Sequence, residues 1–279
     1  MKSFRPTTKS RRHMTVLPFK QYLTADEPHK SLTFGFKRDV GRNNFGRITV
    51  RHQGAGHKKL YRMIDFSYDK KDIKATIQTV EYDPFRTGYI GLVNYADGAK
   101  RYVLLPKTMK VGDSFVVSEN APVQTGNRLI LKNIPVGSLI YNIEIKPGTG
   151  AKLVRSAGSF AQVIANDAGY THIKMPSSEI RKIHEKAWAN IGAVSNEENR
   201  LVTIGKAGRS RWMGIRPTVR GSAQNPVDHP YGGGEQRTGR GLRRLKTRWG
   251  KPAGKGQKTR HPKKYSNVFI VSRRQVGKK

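Results

Sequence analysis

Ile77-Gln-Thr-Val-Glu-Tyr-Asp-Pro-Phe-Arg-Thr-Gly-Tyr-Ile-Gly-Leu-Val-Asn-Tyr-Ala-Asp-Gly-Ala-Lys-Arg-Tyr-Val-Leu-Leu105 contains three brief runs of β-branched and aromatic residues. These are Ile77–Tyr82, Tyr89–Tyr95 and Arg101–Leu105, parted by Asp83-Pro84 and Asp97-Gly98. Such runs suit a pleated, half-buried surface, and the turn formers between them stop each one, so the spacing predicts strands. Asp113–Val117 follows after Val111-Gly112. Past Pro122 a second series begins. Leu139–Ile145 alternates, which predicts Leu139, Tyr141, Ile143 and Ile145 on one face, and Phe160–Ile164, Tyr170–Met175 and Leu201–Ile204 continue it. Ser177–His184 reads equally as a short helix or as a strand ending in a charged turn. Short strands spaced by about 8–12 residues predict small barrels. A seam at 120–127 makes them two in tandem.

Outward from this centre the charge changes. The chain of 279 residues has 54 Lys+Arg against 19 Asp+Glu, a net +35. Residues 1–60 carry 14 basic and 3 acidic side chains, residues 61–200 carry 19 and 14, and residues 201–279 carry 21 and 2. The middle is therefore nearly balanced, whereas the flanks are basic arms. The reading is an N-terminal extension 1–60, barrels 61–122 and 123–204, and a C-terminal extension 205–279. Residues 221–264 hold long stretches with almost no aliphatic side chains, too few to offset the entropy of ordering. The arms are expected to be extended in isolation, to share almost no packing, and to become ordered on a polyanion.

Several function classes are excluded or weakened. With no cysteine, thiolate zinc sites, thiol catalysis and disulfides are absent, which fits a reducing compartment. Nothing approaches 18 consecutive apolar residues, so no membrane span is expected. The start, Met1–Arg12, lacks the apolar core of a secretory signal. Its Arg/Ser/Thr bias suits a basic RNA-binding arm or an organelle transit peptide. Gly254-Lys-Gly-Gln-Lys-Thr259 has the wrong spacing for a phosphate loop. Asn225-Pro-Val-Asp-His-Pro-Tyr-Gly-Gly-Gly-Glu235 sets an Asp beside a His before three glycines. That could pass for a general base with an anion cradle, but adjacent side chains usually diverge, and no Ser or Cys nucleophile has an elbow around it. A rigid loop inserted into folded RNA is the better reading. The tail from Gly205 holds 13 of the 29 glycines, interleaved with Lys and Arg. Trp212 and Trp249 there either stack on a base or ribose or pack on the barrels. Without a helix-turn-helix, zinc finger or basic zipper, small barrels with irregular tails favour folded RNA over DNA.

An ordered set of motifs then carries a resemblance. Gly41-Arg-Asn-Asn-Phe-Gly-Arg-Ile-Thr-Val-Arg-His52, His57-Lys-Lys-Leu-Tyr-Arg62 and Glu81-Tyr-Asp-Pro-Phe-Arg86 are followed by Tyr95–Tyr102, Asn133–Gly137 and Arg155-Ser-Ala-Gly158. Gly205-Lys-Ala-Gly-Arg209, Trp212–Gly221, Asn225–Pro230 and Trp249-Gly-Lys-Pro252 complete it. Together they resemble the universal ribosomal protein L2 family of the large subunit, in its bacterial form. The resemblance implies an OB-like then an SH3-like barrel with long basic, irregular extensions. It implies a structural, non-enzymatic, primary binder of large-subunit rRNA. Such a protein supports assembly, subunit association, tRNA binding and organisation of the peptidyl-transferase centre. The implied partners are large-subunit rRNA, neighbouring ribosomal proteins and the small subunit, with no membrane and no homo-oligomer. It implies no cofactor, magnesium entering at most as rRNA-associated ions, and a cytoplasmic or organellar ribosome.

Residue by residue, Arg86 and Arg155 match the barrel-borne arginines needed for rRNA binding. The motifs add Arg47, Arg51, His57 and Lys58 from the first arm, and Arg211, Trp212, Arg216, Arg220 and Lys251 from the second. Asn225, Asp228, His229 and Tyr231 fall in the loop that extends toward the peptidyl-transferase centre, where His229 matches a histidine once suggested to be catalytic. The family usually has a second histidine where Tyr231 stands, and Gly where Gln236 stands; Gly239–Arg248 also departs from its pattern. A tyrosine keeps a stacking ring and one hydroxyl, which weakens a proton-transfer role for the loop. Two other classes remain open at this point: a nucleic-acid enzyme or chaperone using Asp228 and His229, and a DNA-compacting basic protein.

Overall fold

The computed structural model describes residues 1–235, 241–254, 257 and 259–274. Gln236, the first residues of Gly239–Arg248, part of Gly254–Thr259 and Lys278-Lys279 lie outside the described residues. The chain forms two units. One joins Met1–Lys37, Lys58–Ala207 and the stretch from Ser266 on; the other joins Arg38–His57 with Gly208–Tyr265.

The first unit is mainly β. Strands β1 (Ala75–Glu81), β2 (Ile90–Tyr95), β3 (Lys100–Leu104) and β4 (Ser114–Phe115) form an antiparallel sheet in the order β3-β2-β1-β4. The β1–β2 register shifts between Ile77 and Thr79. Such a bulge bends a strand, and here Ala75 and Ile77 before it and Val80 after it all reach the core. Tyr95, Val103, Leu105, Phe115 and Val117 close over them.

The second sheet is larger. It uses β5 (Arg128–Ile130), β6 (Leu139–Tyr141), β9 (Ala161–Asp167), β10 (Tyr170–Lys174), β11 (Ile180–His184), β12 (Trp188–Ile191) and β13 (Ile270–Ser272). Between β6 and β9, β7 (Ile143–Glu144) and β8 (Ala151–Leu153) pair separately. The sheet order is β13-β11-β10-β9-β6-β12-β5. Leu129, Ile134, Ile140, Val163, Ile173 and Ile183 pack its core, and Leu104 of β3 joins them. Two small curled β units in tandem are thus what the spacing predicted.

Several local readings are corrected. Ser177–His184 resolves in favour of a strand, β11. Leu201–Ile204 is not a strand. A 3-10 helix covers Glu197–Leu201, and Thr203 then bonds Thr15 in both directions, with Thr15 N–H donating to its carbonyl (3.1 Å) and its own N–H donating to Thr15 Oγ1 (2.8 Å). The alternation across Leu139–Ile145 also fails. Asn142 adopts a left-handed φ of 49°, so the chain leaves the large sheet there to pair with β8. Ile140 to Glu144 are consecutively buried, whereas Leu139 and Ile145 are exposed.

A polar hub joins the large sheet and the β7–β8 pair to Tyr68, which packs in the first core. Arg128, 1% exposed, donates to Asn142 O and Asn190 Oδ1, both at 2.8 Å, and to Glu144 Oε1 at 3.0 Å. Its guanidinium lies 4.5 Å from the centre of the Tyr68 ring, and Asn142 Nδ2 donates to the Tyr68 hydroxyl at 3.0 Å. The other oxygen of Glu144 accepts from Gly148 and Trp188 N–H groups. A buried ion pair is stable only when its remaining hydrogen-bonding capacity is filled in this way.

In the second unit, Gly214 is the only buried residue among those described. Backbone bonds hold it instead. Gly54 N–H donates to Gly214 O (2.6 Å), His57 N–H to Trp212 O (2.9 Å) and Arg216 N–H to His52 O (3.0 Å). Gly56 makes this approach sterically feasible, since a Cβ there would stand 2.5 Å from Trp212 O. The expectation that the two arms share almost no packing is therefore overturned. Glycines let backbone pair with backbone where the apolar side chains, Ile48, Val50 and Ile215 among them, stay exposed. The C-terminal arm likewise returns to the first unit, where β13 pairs with β11.

Candidate nucleic-acid interface

Arg86 is set by a turn. Asp83 Oδ1 accepts from Phe85 N–H (2.8 Å), Arg86 N–H donates to Asp83 O (3.3 Å), and Pro84 supplies the fixed φ favoured at the second turn position. The other oxygen of the fully buried Asp83 pairs with Arg86 Nη1. One carboxylate thus shapes the turn and holds the guanidinium it projects. Arg86 Nη2 donates to the Tyr61 hydroxyl at 3.1 Å. Tyr61 belongs to a two-residue ladder, Thr33–Phe34 against Tyr61–Arg62. Its ring packs with Phe34, Phe36 and Phe85 at centroid distances of 5.2–5.9 Å.

Arg155 arrives from the β7–β8 pair, two residues past the end of β8. Val154 takes a left-handed φ of 55°, rare for a β-branched residue, and redirects the chain at this point. Arg155 Nη1 reaches Ala151 O at 3.4 Å. Ala151 N–H donates to Phe66 O at 2.7 Å, tying β8 to the segment that carries Phe66. Phe66 is the shared floor: its ring centre lies 4.6 Å from Arg155 Cζ and 5.5 Å from Arg86 Cζ. Tyr61, Phe66, Phe85, Arg86, Thr87, Arg155 and Ser156 line an open recess of about 500 Å³. Both barrel arginines singled out in the sequence are brought together here, Arg86 from the turn between β1 and β2 and Arg155 from just past the end of β8. The aromatic walls and Asp83 were missed as site residues. Asp83-Pro84 was read only as a turn, and nothing local says that Tyr61 and Phe66 would meet Phe85.

The second unit gathers most of the remaining candidates. Arg47, Arg51, Arg211, Arg216, Arg220 and Lys251 are all exposed. Asn43 Oδ1 accepts from Arg47 N–H at 2.9 Å, closing the loop that carries Arg47. Trp212, 48% exposed, faces the His57 ring at 5.6 Å, and Trp249, 72% exposed, lies beside the Arg248 guanidinium. Lys58, in the first unit, is exposed.

In the 225–235 loop, Asn225 O accepts from the N–H groups of Asp228 and His229 (3.0 and 3.2 Å). His229 Nδ1 accepts from Tyr231 N–H at 3.1 Å, and the two rings lie 4.7 Å apart. Gly221 sits against the imidazole, where a Cβ would be 2.6 Å from His229 Cε1. The Tyr231 hydroxyl accepts from Lys246 N–H at 2.5 Å. Asp228 is exposed, and no bond joins its carboxylate to the imidazole among the described residues. The sequence neighbours therefore do not form a dyad; the loop's own backbone takes Nδ1. Among the described residues no three His, Cys, Asp or Glu side chains assemble to hold a metal ion. No helix of the described chain is long and apolar enough to cross a membrane.

Comparison with known families gives two matches. One family model, Ribosomal Proteins L2, RNA binding N-terminal domain, covers residues 29–118. Another, Ribosomal Proteins L2, C-terminal domain, covers residues 124–250. Together they take in the first sheet, all of the large sheet except β13, and most of the second unit, and they fit an OB-like barrel followed by an SH3-like one.

Proposed function

Since the chain belongs to the ribosomal protein L2 family, we propose that it is a structural constituent of the large ribosomal subunit whose barrels and arms bind large-subunit rRNA. The observation that carries this reading is the meeting of Arg86, from the β1–β2 turn, and Arg155, from beyond β8, in one exposed recess. The net charge of +35 and a basic second unit without an apolar core support it. Neighbouring ribosomal proteins are the further partners. Within that role the protein serves as a primary binder in assembly, contacts the small subunit and supports tRNA binding. The Asn225–Glu235 loop serves the peptidyl-transferase centre as a structural element. His229 acts there by packing, consistent with the use of its Nδ1 by Tyr231.

Binding of the full chain to large-subunit rRNA, measured against salt, tests the reading. Each phosphate contact contributes about 0.7–0.9 to the slope of log affinity against log salt, so a steep fall is expected. Arg86→Ala and Arg155→Ala should each weaken binding. A flat salt dependence, or unchanged affinity in both variants, overturns it.

A further inference from the structure

The two arginines of the recess are not equivalent. Arg86 has a side chain only 17% exposed, and its charge is already met by the buried Asp83 carboxylate. It offers a solvent phosphate little net charge. What it does offer is a flat guanidinium, fixed at two nitrogens and set among the Tyr61, Phe66 and Phe85 rings. Arg155 is exposed, and its hydrogen bond is long, 3.4 Å to Ala151 O. Among the described residues no lysine lines the recess itself; Lys59, close by, has its Nζ 5.7 Å from the Phe85 ring centre and donates to Pro84 O at 3.1 Å. Phe85 is held from behind by Phe36, stacked at 5.7 Å and 25°, so the aromatic wall keeps its orientation.

Planar, sequence-tolerant stacking on aromatic rings and arginine planes is the chemistry by which proteins take up splayed-out RNA bases. A cleft of about 500 Å³ falls within the roughly 300–1,000 Å³ typical of small-ligand sites. We infer that the recess accepts one unpaired nucleobase of the rRNA. The base stacks on the Phe85 and Arg86 surface, and Arg155 takes the adjoining phosphate. This inference rests on the rRNA-binding reading above and divides the labour between its two arginines: Arg86 supplies a plane and Arg155 supplies charge. Thr87 and Ser156 edge the recess with hydroxyls. The Thr87 hydroxyl oxygen is engaged by Ala157 N–H at 3.0 Å, which leaves its own proton to donate to a base edge.

The test uses the full chain and a full-length large-subunit rRNA transcript, with affinity measured across salt and base reactivity mapped by chemical footprinting. Arg155→Ala should lower the salt slope by one contact, about 0.7–0.9. Arg86→Lys keeps a cation beside Asp83 but loses the plane. It and Phe85→Leu should each weaken binding roughly tenfold or more with the slope unchanged. Both should also release a base that the wild-type protein protects. Should Phe85→Leu fail to fold by circular dichroism, Arg86→Lys alone decides. If Arg86→Lys binds as the wild type does, or reduces the slope as Arg155→Ala does, the recess receives only phosphate and the inference is wrong, although rRNA binding stands. If Arg86→Lys, Arg86→Ala and Arg155→Ala all leave affinity and slope unchanged, the rRNA-binding reading of the recess itself has failed.

Discussion

At the scale of single residues, Arg128 and its partners form the buried polar centre that links the large sheet to Tyr68 of the first core. Burial pulls the Arg128 guanidinium below its usual range, against the opposing pull of Tyr68 and Glu144. Removing one member of such a pair leaves an uncompensated buried charge, at a cost of about 3–5 kcal/mol. Arg128→Met should therefore destabilise the protein by that order in urea denaturation, and Arg128→Met with Glu144→Gln should recover part of the loss. A single variant within about 0.5 kcal/mol of the wild type would show the hub to be dispensable. The tyrosines give a pH dependence. Burial pushes the Tyr68 and Tyr89 hydroxyls up to about 12 from their ordinary 10. A group whose folded value lies above its unfolded one contributes its full stability below the unfolded value and loses it as pH rises. Stability should thus hold to about pH 10 and decline toward pH 12, with phenolate absorbance appearing as the fold is lost. Phenolate absorbance complete near pH 10 in the folded protein would contradict the burial. Arg128 escaped sequence reading because a basic residue in a basic protein looks like part of the RNA-binding surface; only its position on β5 turns it inward.

Among the elements, the strands of the first barrel were legible because Asp-Pro and Asp-Gly turns bracket them and half-buried strands leave an alternating or β-branched trace. β12 was not. Trp188-Ala-Asn-Ile191 lies between β6 and β5 with every residue buried, so no alternation survives, and Asn190 reads as a loop residue until Arg128 is seen donating to it. β13 was hidden for another reason, since its pairing with β11 joins positions about ninety residues apart (Ile180 with Ser272). The break at Asn142 misled the face assignment of Leu139–Ile145, because a left-handed residue changes which strand the chain pairs with. Asparagine tolerates that conformation and a β-branched residue resists it. Asn142→Val also deletes the bond to Tyr68. It should cost about 2–4 kcal/mol from strain and the lost buried bond together, read as a lowered urea midpoint with unchanged slope. A cost below about 0.5 kcal/mol would mean that the kink is not set by this residue.

For the molecule as a whole, the charge profile marks two basic flanks, whereas in the structure Met1–Lys37 and the stretch from Ser266 on join the β centre, and Arg38–His57 and Gly208–Tyr265 form the second unit. Composition reports that 221–264 cannot build an apolar core, and in the unit that contains this stretch Gly214 alone is buried among the described residues. Composition cannot report that glycines bring Gly54 and Gly214 into backbone contact. The candidate site followed the same division. Arg86 and Arg155 were recognisable by motif, but the aromatic recess that unites them exists only through long-range packing. The central claim is that the β centre supports itself while the basic unit takes its stability from rRNA. Amide hydrogen exchange of the purified full chain, alone and bound to large-subunit rRNA, tests it most directly. Without RNA, β1 to β12 should exchange slowly while 38–57 and 208–265 exchange within the earliest time points, and adding rRNA should protect the latter two. Protection across 208–265 equal to that of the barrels in the absence of RNA would contradict the account.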